Sequence, residues 1–172
     1  MEYQELIEAR YSVRKYSDRP VSEEDIRAIL EAGRVAPTAR NLQTHRIWVV
    51  TKPEDLAKID ECSPCRFNAP AVLICAYDNE QTLTHPDSLN GDWSYGILDG
   101  AIVFTHMMLK AHDLGLGTCW VGLFDGPKVQ EAFGLEGVTV YSLMPFGYAA
   151  DDCVPNPRHF ERLPLEDTVT WL

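Results

Sequence analysis

Four cations stand close together near the start of a chain that is otherwise acidic. Arg10, Arg14, Lys15 and Arg19 lie within ten positions, and Ser12 stands between the first two arginines. In an extended segment, alternation would bring residues 10, 12 and 14 to the same side. Two guanidinium groups and a hydroxyl can surround a phosphate with charge-assisted hydrogen bonds. The spacing therefore suggests a phosphate site, and the alternative is a solvated basic patch paired with nearby carboxylates.

Amide and hydroxyl side chains follow Pro37 in the turn-rich stretch A-P-T-A-R-N-L-Q, residues 36–43. Thr38, Asn41 and Gln43 offer the donors and acceptors that could read the polar edge of a flat heterocycle. Ordinary hydrogen bonding within a loop is the alternative interpretation of the same residues.

A glycine-rich stretch, G-L-G-T-C-W-V-G, covers residues 115–122. Its spacing does not fit the dinucleotide pattern G-x-G-x-x-G, and it follows a predicted helix where that pattern requires a strand. Gly115 is more simply a helix terminator. Gly122, inside a predicted strand, would let the backbone approach a ligand closely.

The cysteine pattern favours neither a metal centre nor a disulfide framework. Cys62-x-x-Cys65 could be half of a zinc site or a redox pair, but no second ligand pair with suitable spacing exists. We therefore predict no metal site. The five cysteines, with no export signal at the acidic N-terminus, predict a reducing, cytoplasmic environment.

Length and charge limit the classes of partner. The 172 residues fit one domain, which we assign to residues 1–172. The net charge of −11, from 15 basic and 26 acidic residues, opposes nonspecific binding to nucleic acid or to anionic lipid. The longest apolar stretch, residues 97–116, contains Asp99, Lys110 and Asp113, which argues against a membrane-spanning helix.

The elements that would position these residues follow from periodicity and turn signals. Ser22 is a predicted N-cap, Gly33 and Gly115 are predicted helix ends, and Asp125 and Gly134 bound a further helix. The predicted helices cover residues 2–10, 22–33, 53–59, 95–114 and 125–134. The predicted strands cover residues 46–51, 71–77, 118–123 and 140–148. A polar loop is expected at 78–94, and a proline-rich tail from residue 151 is expected to be extended.

Taken in order, these segments resemble the nitroreductase-like family of FMN-dependent NAD(P)H oxidoreductases. The resemblance is carried by R-x-S-x-R at 10–14, the 36–50 stretch, L-D-G-A-I-V-F-T-H-M-M-L-K-A-H-D-L-G-L-G-T-C-W-V-G at 98–122, M-P-F-G-Y at 144–148 and P-R-H-F-E-R-L-P at 157–164. It implies an α+β fold, a three-layer α/β/α sandwich with a central mixed β-sheet flanked by helices. It also implies a homodimer that binds FMN at the subunit interface.

The resemblance implies FMN-binding roles for three groups of residues and a tail. Those near the N-terminus would hold the phosphate, the ribityl chain and the pyrimidine: Arg10, Tyr11, Ser12 and Arg14. Those in the loop would lie against the flavin of the partner subunit: Pro37, Thr38, Ala39, Asn41 and Gln43. Those at the strand end would meet the isoalloxazine: Trp120, Gly122 and Leu123. The tail, residues 151–172, would extend over the dimer partner or the flavin phosphate, where Arg158 or Arg162 would complete the site. Of the two, Arg162, which Leu163 and Pro164 follow, is the better match to the family.

The implied chemistry belongs to the cofactor, so we predict no catalytic side chain. NAD(P)H would be the co-substrate, and hydride would pass through flavin N5 to a small-molecule acceptor such as a nitroaromatic or a quinone in a ping-pong cycle. Four alternatives remain: a flavin-binding or flavin-delivery protein, a relative that fragments flavin or removes halogen, a cofactor-free domain, and a zinc protein.

Overall fold

The computed structural model describes residues 2–83 and 94–172, so most of the predicted 78–94 loop lies outside the described residues. The described helices are α1 (Tyr3–Ala9), α2 (Glu23–Arg34), α3 (Pro53–Cys62), α4 (Tyr95–Asp113), α5 (Gly126–Phe133) and α6 (Leu165–Thr168). The described strands are β1 (His45–Val50), β2 (Ala71–Asp78), β3 (Gly117–Thr118) and β4 (Val138–Gly147). Short 3₁₀ turns cover Ala39–Asn41 and Pro157–Phe160.

The four strands form one sheet in the order β1-β2-β4-β3. Each neighbouring pair of strands is antiparallel. Parallel pairing enters only through a bridge between Ser12 and Thr118, which joins the N-terminal segment to β3. The predicted mixed sheet is therefore antiparallel in its strands, with one parallel bridge among the described residues.

Strand β2 lies in the interior of the sheet, and its position accounts for the continuous apolar run in its sequence. Its even-numbered residues 72, 74 and 76 pack into a cluster with Leu56 of α3 and Val129 of α5. Its odd-numbered residues 71, 73 and 75 pack into a second cluster with Ile29 of α2 and Phe104 of α4. Since both faces of the strand are buried, alternation with polar residues is absent. This arrangement confirms the α+β fold with helices on both sides of the sheet.

Helix α4 lies very close to the sheet because two of its residues are glycines. A Cβ atom at Gly96 would stand 2.4 Å from the ring of Tyr77, and one at Gly100 would stand 2.6 Å from the ring of Tyr141. The Tyr141 hydroxyl donates to the Gly100 carbonyl oxygen at 3.0 Å. The N-terminal half of α4 is therefore fixed against both central strands.

Several predicted boundaries hold because the caps are local. Ser22 accepts a hydrogen bond from the Asp25 amide at 3.0 Å, as a capping residue should. Asp125 caps α5, which ends at left-handed Gly134. Gly115, with φ +78°, follows the end of α4. Gly33, however, is not a helix end: α2 continues to Arg34, and Gly33 lets α2 approach α4, because a Cβ there would lie 2.8 Å from Met107.

Two predicted extended segments differ from the structure. The strand predicted at 118–123 is only β3, followed by a single bridge from Val121 to Leu143. The residue that follows β3, Cys119, faces Pro145 of β4. Because Pro145 has no N–H to donate, regular pairing stops there. The tail is not extended throughout: it contains α6 and a 3₁₀ turn, which Asn156 caps by accepting from the Arg158 amide at 3.0 Å. Among the described residues, no helix has the length and apolar character needed to cross a membrane.

Candidate functional site

The cationic segment takes up an extended path directly after α1. The helix ends at Ala9, and Arg10 has extended backbone angles. The Val13 amide donates to the Thr118 carbonyl oxygen at 2.9 Å, and the Val13 side chain is 2% exposed. Because side chains alternate along an extended chain, burial of residue 13 turns its two neighbours outward.

A cavity of about 340 Å³ opens at this segment. Its lining residues are Arg10, Tyr11, Ser12, Arg14, Asn156, Arg158 and His159. The three side chains that the sequence predicted on one side of the chain thus line a common cavity. Its volume falls within the range typical of small-molecule sites.

The four clustered cations do not have equal freedom to bind an anion. Lys15 forms an ion pair with Asp152, and the guanidinium of Arg19 lies 3.7 Å from the ring centroid of Tyr148. Arg10 and Arg14 form no ion pair with any carboxylate in the described part of the chain. The cavity therefore retains unneutralised positive charge in a protein whose net charge is −11.

The tail brings one of its two arginines to this cavity. The His159 ring nitrogen Nε2 lies 3.2 Å from the Glu8 carbonyl oxygen, and the Ala150 amide donates to the Lys15 carbonyl oxygen at 3.0 Å. These contacts place Arg158 in the lining, and it too lacks an ion pair among residues 2–83 and 94–172. Arg162 instead donates to backbone carbonyl oxygens of the tail, including that of Glu161 at 2.7 Å.

The titratable neighbours of the cavity leave its positive charge in place. Burial, followed by the charge of Arg10, lowers the pKa of His112. Burial raises the pKa of the Cys119 thiol, although the Arg14 charge opposes that rise. Burial, assisted by Cys153, also raises the pKa of Tyr11. At neutral pH the phenol and the thiol are predominantly uncharged and so do not neutralise the arginines, and the largely neutral imidazole adds little further positive charge.

The strand end near the cavity exposes an apolar surface. Trp120 lies two residues beyond the Ser12–Thr118 bridge, and its ring is 3.9 Å from that of Phe104 between centroids. Leu123 is 66% exposed, and Gly122 has no atom within 4 Å of the place a Cβ would take. A planar ligand could therefore reach the backbone at residue 122 without a steric barrier from the surrounding described residues.

The loop of residues 37–43, called the 37–43 loop below, has an unusual backbone. Arg40, Asn41 and Gln43 all have positive φ, between 51° and 55°. For residues with a Cβ this conformation costs about 1–2 kcal/mol each. The hydrogen bonds that hold the loop include one within it and one to α4. The Gln43 amide donates to Thr38 Oγ1 at 3.0 Å, and the Ala39 amide donates to Asp99 Oδ1 at 2.9 Å. Backbone hydrogen bonds from the amides of residues 41 and 42 also close the turn.

The structure does not bring the 37–43 loop to the cavity that Arg10, Arg14 and Arg158 line in the same chain, which is called the arginine cavity below. None of residues 37–43 lines that cavity. Pro37, Asn41 and Gln43 are exposed, while Thr38 and Ala39 are half-buried. Of the polar groups predicted to read a heterocycle, Asn41 and Gln43 are therefore exposed to solvent, while the Thr38 hydroxyl accepts a hydrogen bond within the loop.

Two other features are less suited to ligand chemistry. A larger cavity of about 640 Å³ lies between α2 and β1, but its arginines, Arg27 and Arg34, are already paired with Glu23 and Glu31. No group of three metal-ligating side chains occurs in residues 2–83 and 94–172, so Cys62 and Cys65 have no described partners for a metal.

Sequence reasoning missed three residues of this region. Asn156 and His159 line the arginine cavity, and the signal for them was the N-P-R-H stretch, in which an asparagine precedes a proline at a turn. Asp99 is 5% exposed and anchors the 37–43 loop, but in the sequence it was only a charge within an apolar run. A single buried carboxylate carries no local pattern that reveals its partner.

Comparisons with known proteins agree on one family. The profile of the nitroreductase family matches residues 7–64 and 62–148. The crystal structure of a nitroreductase family protein from Clostridium difficile superposes with a TM-score of 0.90 at 31% identity, covering 99% of this chain and 98% of that one. An NADH dehydrogenase of Thermus thermophilus is 30% identical over 194 aligned positions, which span 94% of this chain and 92% of that protein.

A third relative supports the fold alone. A protein of Exiguobacterium sibiricum, solved in complex with FMN, has a TM-score of 0.85 at 22% identity, with 100% of this chain and 98% of that chain covered. The profile match extends over most of the chain, and the Clostridium difficile protein is similar along nearly its whole length. The chain therefore belongs to the nitroreductase family.

Proposed function

We propose that this chain is an FMN-dependent oxidoreductase that takes hydride from NAD(P)H and reduces a small-molecule acceptor, such as a nitroaromatic or a quinone. The observation that carries the proposal is the cavity where three arginines, Arg10, Arg14 and Arg158, form no ion pair with a carboxylate of the described residues. The FMN complex of the Exiguobacterium sibiricum relative and the name of the Thermus thermophilus relative support it.

The residues present fit the phosphate end of FMN. A phosphate monoester carries about −1.5 to −2 charges at neutral pH, which unpaired guanidinium groups can neutralise with charge-assisted hydrogen bonds. Arg10, Arg14 and Arg158 would hold the phosphate, and the Ser12 hydroxyl, which lines the same cavity, would bind a neighbouring oxygen. We favour Arg158 over Arg162, because Arg162 donates to tail carbonyl oxygens.

Other groups would hold the flavin ring. When bound, FMN would supply the chemistry by accepting a hydride and passing it to the acceptor in a second half-reaction. Trp120 and Leu123 offer an exposed apolar surface, and the open backbone at Gly122 offers an amide. Thr38, Asn41 and Gln43 of the 37–43 loop would bind the polar edge of the ring, with Pro37 and Ala39 beside it.

We further propose a homodimer in which each flavin contacts both subunits. The arginine cavity and the 37–43 loop do not meet within one chain, and α4 exposes Ile97, Leu98 and Ile102. In this proposal residues 1–172 form one domain, and the tail at 151–172 lies over the phosphate or the partner. The cytoplasm is the proposed compartment, because all five cysteines are free thiols.

The first test is the visible spectrum of the purified protein, followed by anaerobic addition of NADH or NADPH. Flavin bands that bleach with either nucleotide are the expected result. Flavin bands that neither nucleotide bleaches would instead favour a flavin-binding or flavin-delivery protein. A colourless protein that takes up no added FMN would contradict the proposal.

A further inference from the structure

A buried carboxylate lies beneath the 37–43 loop and has a single described hydrogen-bond partner. Asp99 is 5% exposed, and its Oδ1 accepts from the Ala39 amide at 2.9 Å. No cation forms an ion pair with Asp99 in the parts of the chain that the structure describes. Burial of a charge is costly unless a specific contact offsets it, so this contact calls for an explanation.

The position of Asp99 is fixed by its neighbours on α4. Gly96 and Gly100 allow the helix to press against the rings of Tyr77 and Tyr141, where any Cβ would come within 2.6 Å. The Tyr141 hydroxyl also donates to the Gly100 carbonyl oxygen at 3.0 Å. Because the helix cannot slide without disturbing these contacts, the Asp99 carboxylate is a rigid acceptor.

The acceptor meets the loop at the residue where its unusual backbone begins. Ala39 is the first residue of the 3₁₀ turn, and the positive φ angles follow at Arg40, Asn41 and Gln43. The His45 imidazole, which interacts electrostatically with Asp99, has its pKa lowered chiefly by burial, so at neutral pH it is largely uncharged and forms no ion pair with the carboxylate.

We propose that Asp99 is a positioning residue: through the Ala39 amide it holds the 37–43 loop in its left-handed conformation and so presents Asn41 and Gln43 to the flavin bound by the partner subunit. The inference deepens the proposed function and rests on it. A loop already held in its binding conformation loses less entropy when the flavin binds.

The experiment compares Asp99→Ala and Ala39→Pro with the wild-type protein and with two further variants. Ala39→Pro removes the donor at the first position of the turn, where proline is tolerated. Asp99→Asn keeps an acceptor oxygen, and Asp55→Asn is a matched carboxylate-to-amide control on α3, where the carboxylate is paired with Lys58. Hydrogen exchange of the amides at residues 41–43 is measured without flavin, and FMN affinity is measured by fluorescence quenching.

We expect exchange at residues 41–43 to accelerate about tenfold or more in Asp99→Ala and in Ala39→Pro, as local opening becomes easier. FMN affinity should fall by about tenfold in both. A variant that carries Asp99→Ala together with Ala39→Pro should lose no more affinity than either single variant, because both changes break the same contact. Exchange at residues 41–43 and FMN affinity should both stay near their wild-type values in Asp99→Asn and in Asp55→Asn.

Two results would overturn the inference. Unchanged exchange in Ala39→Pro would mean that the contact does not hold the loop, even if Asp99→Ala fails to fold. Faster exchange with unchanged FMN affinity would mean that the loop conformation does not serve the flavin. If the wild-type protein binds no FMN, the proposed function fails, while the exchange data still decide whether Asp99 holds the loop.

Discussion

At the residue scale, an arginine that already has a carboxylate partner contributes little to an anion site. The pair Arg27–Glu23 is exposed on α2, whereas Arg158 lines the arginine cavity without an ion pair among the described residues. Hydrogen bonds to charged groups contribute about 1.5–3 kcal/mol. We therefore predict that Arg158→Ala weakens FMN binding by roughly 10- to 100-fold, measured by fluorescence titration.

The matched control for this prediction is Arg27→Ala, which removes the same group from a site that faces solvent. It should leave FMN affinity unchanged. Inorganic phosphate should compete with FMN in the wild-type protein and less well in Arg158→Ala. Equal FMN affinity in the two variants would mean that Arg158 does not bind the phosphate.

Protonation of His45 links one residue to the stability of the whole chain. Burial, with a smaller contribution from Arg46, lowers its pKa below the ordinary value of 6.5, although Asp99 opposes the shift. The unfolded chain therefore binds a proton more readily than the folded chain, so stability rises with pH. The contribution is fully present above pH 6.5 and is lost as pH falls through the lowered folded-state pKa.

We predict that the free energy of unfolding of the apoprotein, measured by urea denaturation, decreases between pH 7 and pH 5, by at most about 1.4 kcal/mol per pH unit for one proton. His45→Gln should show a smaller decrease. His112, whose pKa is also lowered by burial, has the same sign and should account for part of the remaining slope. A slope unaffected by both His45→Gln and His112→Gln would contradict this assignment.

At the element scale, the contact of α4 with the sheet depends on the absence of side chains at two positions. A Cβ at residue 100 would meet the Tyr141 ring at 2.6 Å, whereas Gly122 has open space around it. Overpacking in a core typically costs about 1–3 kcal/mol. We predict that Gly100→Ala lowers the thermal midpoint of the apoprotein by about 2–4 °C for each kcal/mol lost.

Gly122→Ala serves as the control, because the same added methyl group meets no described atom within 4 Å. Its thermal midpoint should equal that of the wild type. If the flavin ring approaches this backbone, as proposed, Gly122→Ala should weaken FMN binding while leaving the apoprotein as stable as before. Equal destabilisation by both variants would mean that the tyrosine contact does not determine the cost.

Elements could be predicted from the sequence where a local signal determines them. Ser22, Asp125 and Gly134 act within their own helix ends, and each was identified. Strand β3 was predicted too long, because its pairing depends on Pro145, a distant residue that cannot donate a hydrogen bond. The prediction that Gly33 ends a helix is wrong. A glycine is needed there because α2 packs against Met107 of another helix, and the local sequence carries no signal of that contact.

The same distinction applies to the candidate site. Arg10, Ser12 and Arg14 could be grouped from their spacing, since alternation alone places them on one side. His159 and Asp99 could not, because each acts across a long stretch of chain: His159 contacts Glu8, and Asp99 contacts Ala39. Contacts of this kind depend on the tertiary fold and leave no periodic signal.

At the scale of the whole molecule, large apolar side chains are exposed on α4 and along the tail, in addition to the strand end at Trp120 and Leu123. Helix α4 exposes Ile97 and Leu98, and the tail exposes Phe160, Leu163 and Trp171, the last of them 90% exposed. Exposed apolar surface of this extent is typical of an interaction site. A second copy of the chain is the partner that the proposed function requires, since each half of the flavin site would then find its complement.

Mixed dimers test whether the arginine cavity and the 37–43 loop act across subunits. In the proposed dimer, each flavin takes Arg14 from one chain and Asn41 from the other. Arg14→Ala and Asn41→Ala homodimers would therefore carry two damaged sites each. A mixed dimer would have one site with both substitutions and one site with neither, so it should bind about one FMN per dimer with wild-type affinity.

The measurement uses two differently tagged chains, co-expressed and purified through both tags, followed by FMN titration. A site built within one chain predicts the opposite result, because each site of the mixed dimer would then carry one substitution and none would be intact. A full-affinity site that is present in the mixed dimer and absent from both variant homodimers would therefore establish that Arg14 and Asn41 act across the subunit interface. Weak binding at both sites would place Arg14 and Asn41 in the same subunit's site and exclude the shared interface.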